Sequence, residues 1–236
     1  MDGAKAPSKI SNTKIIAMAS SLTRLTLSAA ALAAAAIFVM QVPQAPANAE
    51  APAATQSEKA DTAIFASGCF WCSESDFEKL PGVMSAVSGY TGGTLKNPKY
   101  EQVGSGDTGH TEAVEVKFDP AKVSYQALVD YYWHHTDVVD GGGQFCDRGS
   151  QYRPAIFVRG AEQKKIAEDS KAALDKSGVL PAPVAVEITD ATQFYPAEDY
   201  HQDYYKTHSI KYNFYRQGCG RDARIKALWG NEAAGH

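Results

Sequence analysis

Residues 62–82 constrain this chain more than any other stretch. A short apolar run, Thr62-Ala63-Ile64-Phe65-Ala66-Ser67, meets Gly68, and beyond it Phe77 and Leu80 are spaced for one helical face until Pro81-Gly82 stops the helix. A strand must turn directly into a helix there, and Gly68-Cys69-Phe70-Trp71-Cys72 occupies the junction. Cys69 therefore falls at a helix N-terminus. Unpaired backbone N–H groups and the positive end of the helix dipole favour the thiolate at that position, and the thiolate is the nucleophilic form of cysteine. The adjacent aromatics supply an apolar pocket.

Three readings fit cysteines at such a junction. A thioredoxin-type Cys-x-x-Cys has this spacing. Two bulky aromatics between the cysteines, however, suit a site that grips a small apolar group better than one that docks flat on many proteins. Half of a zinc site needs a second Cys or His pair at ligand spacing, and Cys146 and Cys219 stand alone in the sequence. The third reading is two buried helix cysteines of no chemical importance.

Strand-like runs cover residues 62–67, 83–90, 112–118, 155–158 and 184–189, and helical patterns cover 69–80, 124–135, 162–177, 198–208 and 221–229. In the second helix Tyr125, Leu128, Val129 and Tyr132 follow the i, i+3, i+4, i+7 spacing, with Ser124 as N-cap. Gly141-Gly142-Gly143 marks a mobile loop. This mixed order predicts a two-layer α+β domain, with helices on one side of a mainly antiparallel sheet. At net charge −4 and 21% charged residues, the chain is neither a basic nucleic-acid binder nor a disordered acidic tail.

Period-two alternation places Glu112 on the same strand face as Val114, Val116 and Phe118, with Glu115, Lys117 and Asp119 opposite. Burial disfavours the charged form of a carboxyl, so Glu112 is a candidate general acid that carries its proton near neutral pH. The alternative is a strand-end glutamate that reaches water.

Six segments now stand in order: Gly68-Cys69-Phe70-Trp71, Gly89-Tyr90-Thr91-Gly92-Gly93, Asn97-Pro98-Lys99-Tyr100, Gly106-Asp107-Thr108-Gly109-His110-Thr111-Glu112-Ala113, Asp147-Arg148-Gly149-Ser150-Gln151-Tyr152-Arg153 and Ala197-Glu198-Asp199-Tyr200-His201-Gln202. Together they resemble peptide methionine sulfoxide reductase A across residues 63–212. The resemblance implies a ferredoxin-like plait with long irregular loops. It also implies a thiol reductase of methionine-(S)-sulfoxide, free or within proteins, that needs neither metal nor organic cofactor. In that scheme Cys69 attacks the sulfur, Glu112 delivers a proton to the departing oxygen, and the hydroxyls of Tyr100 and Tyr152 hold that oxygen. Phe70 and Trp71 wall the S-methyl pocket, and Asp147 orders the loop carrying Tyr152. His110, His134, His135 and His201 read as structural.

One turnover leaves Cys69 as a sulfenic acid, which a nearby thiol condenses to a disulfide. Cys72 is three residues on, within disulfide reach along a helix. Cys219, between two glycines, is the second candidate, and the expectation is a Cys69–Cys72 bond first, with Cys219 taking over Cys72 in a later exchange. Cys146 reads as a small buried apolar residue.

The N-terminus differs in kind. Lys5, Lys9, Lys14 and Arg24 precede an uncharged run over residues 25–42, and Ala47-Asn48-Ala49 supplies a small-x-small cleavage site. Residues 1–49 read as a signal peptide, 50–61 as a disordered linker and 62–236 as the catalytic domain. The alternative is an uncleaved anchor, because the apolar run approaches the ~18 residues that span a bilayer. The expectation is an exported, periplasmic, monomeric reductase recycled by a thioredoxin-like dithiol donor, with no nucleic-acid partner. A periplasmic thiol–disulfide oxidoreductase is the alternative enzyme, and a binding module with structural bridges the alternative non-enzyme.

Overall fold

The computed structural model describes residues 60–230. The expected signal peptide lies outside the described residues, as does the expected linker up to residue 59.

The chain opens with β1 (Asp61–Ala66), α1 (Phe70–Phe77), β2 (Val83–Thr91), α2 (Tyr100–Gly104), β3 (Thr111–Phe118) and α3 (Tyr125–Trp133). A two-residue hairpin pair, β4 (Gly143–Gln144) and β5 (Asp147–Arg148), is followed by a 3-10 turn at Ser150–Tyr152, β6 (Ala155–Val158) and α4 (Gly160–Ser177). The rest comprises β7 (Glu187–Asp190), β8 (Tyr195–Pro196), a 3-10 turn at Asp199–His201, α5 (Tyr204–Thr207), α6 (Ser209–Gly218) and α7 (Arg221–Trp229).

Six strands form one sheet in the order β7-β6-β1-β3-β2-β8, antiparallel at every pairing except β6 with β7. The expected mixed α+β architecture with a mostly antiparallel sheet is thus present. Alternation along the strands sorts residues between two clusters. Ala63, Phe65, Val114, Val116, Phe118, Ile156 and Val158 enter a large core with Phe70, Phe77, Leu128, Val129, Tyr132, Ile225 and Trp229 from the helices. Ile64, Ala66, Ala113, Ala155 and Phe157 face the other way and meet Phe194 in a smaller cluster that contains no helix residue.

The β1–α1 junction forms where expected, and its glycine is required. Gly68 has φ +79°, and a Cβ there would lie 2.5 Å from Cβ of Gln144. The helix ends at Phe77 rather than Leu80, since Lys79 and Leu80 donate instead to Asp76 and Phe77 in a tightening turn ahead of Pro81. At α3 the Ser124 hydroxyl accepts from Ala127 N at 3.1 Å, as its N-cap reading predicts.

Elsewhere tertiary contacts override local pattern. The expected helix over 198–208 is broken because the Gln202 side chain bonds the backbone N and O of Ser88 in β2, and Asp203 takes φ +53° while donating to Glu74 Oε1. The strand expected over 184–189 begins only at Glu187: Ala185 N bonds Val138 O at 2.7 Å, so Val184 and Val186 are buried outside the sheet. Gly143, expected in a mobile loop, pairs with Arg148 between the short strands. Asp61, assigned to the linker, pairs with Phe118.

Candidate active site

A small cavity of ≈ 70 Å³ is lined by Cys69, Phe70, Trp71, Tyr100, Glu112, Asp147, Tyr152 and Tyr215. It collects side chains from separate elements: the β1–α1 turn and first turn of α1, the start of α2, the second residue of β3, β5, the 3-10 turn after it, and α6. The residues expected from sequence to attack, protonate, hold and wall the substrate therefore meet in one place. Tyr215 is the addition that sequence reasoning missed.

Backbone registers and hydrogen bonds fix this arrangement. Glu112 is 3% exposed, lies opposite Tyr90 in the β2–β3 pairing, and accepts from Phe70 N at 3.0 Å. Glu198 accepts from the Tyr90 hydroxyl at 2.9 Å and from Tyr100 N at 3.1 Å, which anchors the start of α2 to the sheet. The Trp71 ring stacks on Tyr204 with centroids 3.8 Å apart, and its indole N–H donates to His201 Nδ1 at 3.1 Å. His201 is therefore the orienting partner of Trp71. His110 accepts from Gly93 N and lies 2.8 Å from Leu95 O, while His134 and His135 bond the carbonyls of Asp130 and Tyr131. Asp147 accepts from the Tyr215 hydroxyl, a bond that ties β5 to α6 beside the cavity.

Burial sets the protonation states. It pushes the Glu112 carboxyl up to about 8, against the opposing Phe70 N–H bond, and the charges of Asp147 and Cys72 add to the rise. Tyr100 is pushed up to about 12 by burial and Glu112, and Tyr152 is raised for the same reasons, so both hydroxyls remain donors. Asp147 is also raised by burial, while the Tyr215 bond and Arg221 oppose.

The thiols depart from expectation. Cys69 is the N-cap of α1, yet burial pushes its thiol well above the ordinary range, and the bond to Cys72 and the charges of Cys72 and Glu112 act the same way. Cys72 is shifted down, first by the hydrogen bond from Cys69 and then by Arg221 and Arg216. Cys146 is not a buried apolar residue: it is exposed and bonded to Cys219, with Cα atoms 4.9 Å apart, while Cys69 and Cys72 are free. Cys219 is thus already engaged, and not with Cys72.

A wider cleft of ≈ 480 Å³ runs beside that bridge, lined by Asp137, Val139, Asp140, Phe145, Cys219 and Arg224. Its acids are paired, Asp137 with Arg224 at 2.6 Å and Asp140 with Arg148 at 2.5 Å, so it offers no reacting group beyond the bridge. Two clusters among the described residues have ligand spacing for a metal. In one the sulfurs of Cys146 and Cys219 are bonded to each other, and in the other Lys206 lies 2.6 Å from both Glu78 and Asp203.

Comparison with known proteins decides the family. The profile described as "Peptide methionine sulfoxide reductase" matches residues 61–233. The chain belongs to the peptide methionine sulfoxide reductase family. The peptide methionine sulfoxide reductase MsrA of Listeria innocua is 54% identical over 172 residues, 73% of this chain and 97% of that protein. The MsrA of Bacillus licheniformis is 48% identical over 176 residues, 75% and 97% of the two chains. Among solved structures, methionine sulfoxide reductase A of Corynebacterium diphtheriae is 33% identical with TM-score 0.57, covering 66% of this chain and 78% of its own. Reduced Mxr1 of Saccharomyces cerevisiae is 25% identical with TM-score 0.60, covering 64% and 86%.

Proposed function

We propose that this protein reduces methionine-(S)-sulfoxide to methionine with Cys69 as nucleophile. The observation that carries the reading is a buried thiol and a buried carboxyl, both holding protons, on one small cavity with two tyrosine hydroxyls.

The sulfoxide S-methyl lies against Phe70 and Trp71, and its oxygen lies toward Glu112, Tyr100 and Tyr152. As the Cys69 sulfur attacks the sulfoxide sulfur, negative charge gathers on the oxygen, and Glu112 transfers its proton there. The Glu112 carboxylate then takes up the proton that Cys69 loses. Preorganised hydroxyl donors of this kind contribute about 10²–10³ in rate. The oxygen ends on Cys69 as a sulfenic acid and methionine leaves, so protons and electrons balance without a cofactor. The Cys72 thiol condenses with the sulfenic acid to a Cys69–Cys72 disulfide and water. A thioredoxin-like dithiol donor returns the bridge to thiols. Cys219 contributes only after its bond to Cys146 opens.

The strand order β6-β1-β3-β2, with α1 between β1 and β2 and α3 between β3 and β6, supports reading the central sheet as a ferredoxin-like plait. The charged, apolar and small-residue segments of residues 1–49 support export of the catalytic domain to the periplasm.

Prereduced protein should convert the S epimer stoichiometrically with no other reagent and leave the R epimer untouched. Near wild-type conversion by Cys69→Ser protein would overturn the reading, as would equal conversion of both epimers. Exchange of disulfides on unrelated proteins without a need for sulfoxide would favour a general oxidoreductase instead.

A further inference from the structure

A hydroxyl that is to hold the sulfoxide oxygen cannot also be tied to the protein, and the Tyr100 hydroxyl has no hydrogen-bond partner among the described residues. Its place is therefore set by ring packing and by the main chain. The ring lies 6.5 Å from Phe70 and 4.4 Å from His201, centroid to centroid. Tyr100 is the first residue of α2, so its N–H has no partner within the helix, and Glu198 Oε1 accepts it at 3.1 Å from 98 positions along the chain. At five residues, α2 is too short to hold its own geometry. Its other end is fixed separately, by the two residues that precede Tyr152: Gln151 Nε2 donates to the Gly104 carbonyl at 3.1 Å, and the Ser150 hydroxyl to the Gly106 carbonyl at 3.0 Å.

The second oxygen of Glu198 reaches the sheet. It accepts from the Tyr90 hydroxyl at 2.9 Å, and Tyr90 is fully buried, stands opposite Glu112 in the β2–β3 register and packs on Phe70 with centroids 5.9 Å apart. One carboxylate thus spans the strand pair that carries the acid and the helix that carries the oxygen-holding hydroxyl. Glu198 is half-buried and stands outside the lining of the cavity, so it acts on the reaction through other groups. Burial alone would raise its pKa, but the N–H groups of its own backbone and of Tyr100, with the Tyr90 hydroxyl, hold it below the ordinary value, and an ionised carboxylate is the stronger acceptor for both bonds. We propose that Glu198 is a positioning residue for sulfoxide reduction, fixing the Tyr100 hydroxyl against the Glu112 carboxyl so that both reach one sulfoxide oxygen. The inference rests on the reading that Tyr100 holds that oxygen.

The test is single-turnover reduction of the free S-sulfoxide by the prereduced full chain, followed by rapid quench over a range of substrate concentrations. Glu198→Ala should lower the maximal rate of methionine release by about 10–10²-fold, the cost of misplacing a reacting group by ~1 Å. The half-saturating sulfoxide concentration should stay within about two-fold, because Phe70 and Trp71 still wall the S-methyl pocket. Glu198→Gln keeps one acceptor oxygen for the Tyr100 N–H and should restore most of the rate. In a Tyr100→Phe background, Glu198→Ala should cost no more than about two-fold further, since the hydroxyl it positions is gone, whereas a residue that only stabilises the fold would keep its full effect there. The alkaline limb at about 8 should hold its midpoint. Tyr90→Phe leaves the ring packed, frees one oxygen of Glu198 and should slow the first turnover about three- to ten-fold, again with no effect once Tyr100 is Phe; it decides the question where Glu198→Ala does not fold. Wild-type maximal rates in these variants, an undiminished effect in the Tyr100→Phe background or a displaced limb overturns the inference. A Tyr100→Phe rate equal to wild type overturns the placement of Tyr100 at the oxygen instead, and sulfoxide reduction that survives Cys69→Ser overturns the underlying reaction.

Discussion

Glu112→Gln keeps the shape of the side chain and its contact with Phe70 N but removes the proton that the sulfoxide oxygen must receive. The size of the effect follows from burial. A carboxyl at its ordinary 4.5 holds a proton in about 0.3% of molecules at pH 7, whereas one pushed up to about 8 holds it in about 90%, a gain of roughly 300-fold in the acid form. Single-turnover reduction of the free S-sulfoxide by prereduced protein, followed by rapid quench from about pH 6 to about pH 10, should be flat up to about 8 and fall ten-fold per unit above it. Cys69 ionises higher, so that limb belongs to Glu112. The Gln variant should lose the limb and run about 10²–10⁴ slower at neutral pH. Stability supplies a second reading with its own sign. Because the folded pKa is raised from 4.5 to about 8, the contribution of Glu112 is fully present below about 4.5 and is lost as pH rises through about 8. Urea denaturation should show wild type losing up to about 5 kcal/mol relative to Gln across that window, as an order of magnitude. An alkaline limb of unchanged midpoint in the Gln variant, or a stability difference flat with pH, would refute the assignment.

Tyr100→Phe and Tyr152→Phe should each slow the first turnover by about 10²–10³ while keeping the alkaline limb of Glu112, and unchanged rates in rapid quench would remove them from the oxygen site. Gly68→Ala should cost at least about 2 kcal/mol in urea denaturation, because it forces a side chain to φ +79° and against Gln144 at 2.5 Å; wild-type stability would show that the turn relaxes freely. Cys146→Ser opens a bridge spanning a sequence separation of 73 and should lower stability by about 4 kcal/mol on the chain-entropy account, while methionine release in the first turnover persists. Loss of that first turnover would tie the bridge to the chemistry of Cys69.

Local features carried through from sequence to structure. The apolar run into Gly68 specifies β1, the turn and α1 within a few residues, and the alternation of β3 alone puts Glu112 on the core face with Val114 and Phe118. What sequence could not supply depends on partners far along the chain. Gln202 reaches Ser88 across 114 positions and interrupts a helical pattern that is otherwise sound. Tyr215 meets Asp147 across 68 positions, and Cys146 meets Cys219 across 73, with no periodicity to announce either pairing. A signal for Tyr215 did exist, since Tyr204, Tyr205, Tyr212 and Tyr215 crowd one segment, but crowding does not say which ring faces the cavity.

The protonation of Cys69 shows why position on a helix does not settle reactivity. The positive end of a helix dipole favours an anion by about 0.3–1 kcal/mol, and α1 is a short helix with no side-chain cap at its start. Full burial acts in the opposite direction by up to about 3–5 pKa units, several kcal/mol, so burial wins and the resting thiol keeps its proton. That outcome suits sulfoxide reduction better than a standing thiolate would. A thiolate beside Glu112 would hold the carboxyl pKa still higher and repel the developing oxyanion, whereas a neutral thiol and a neutral carboxyl present no net charge until substrate arrives. Cys72, equally buried, is shifted the other way, because the hydrogen bond from Cys69 and then the charges of Arg221 and Arg216 outweigh its desolvation. A neutral Cys69 thiol beside a neutral Glu112 carboxyl therefore ties attack to the arrival of a substrate whose oxygen can take the Glu112 proton.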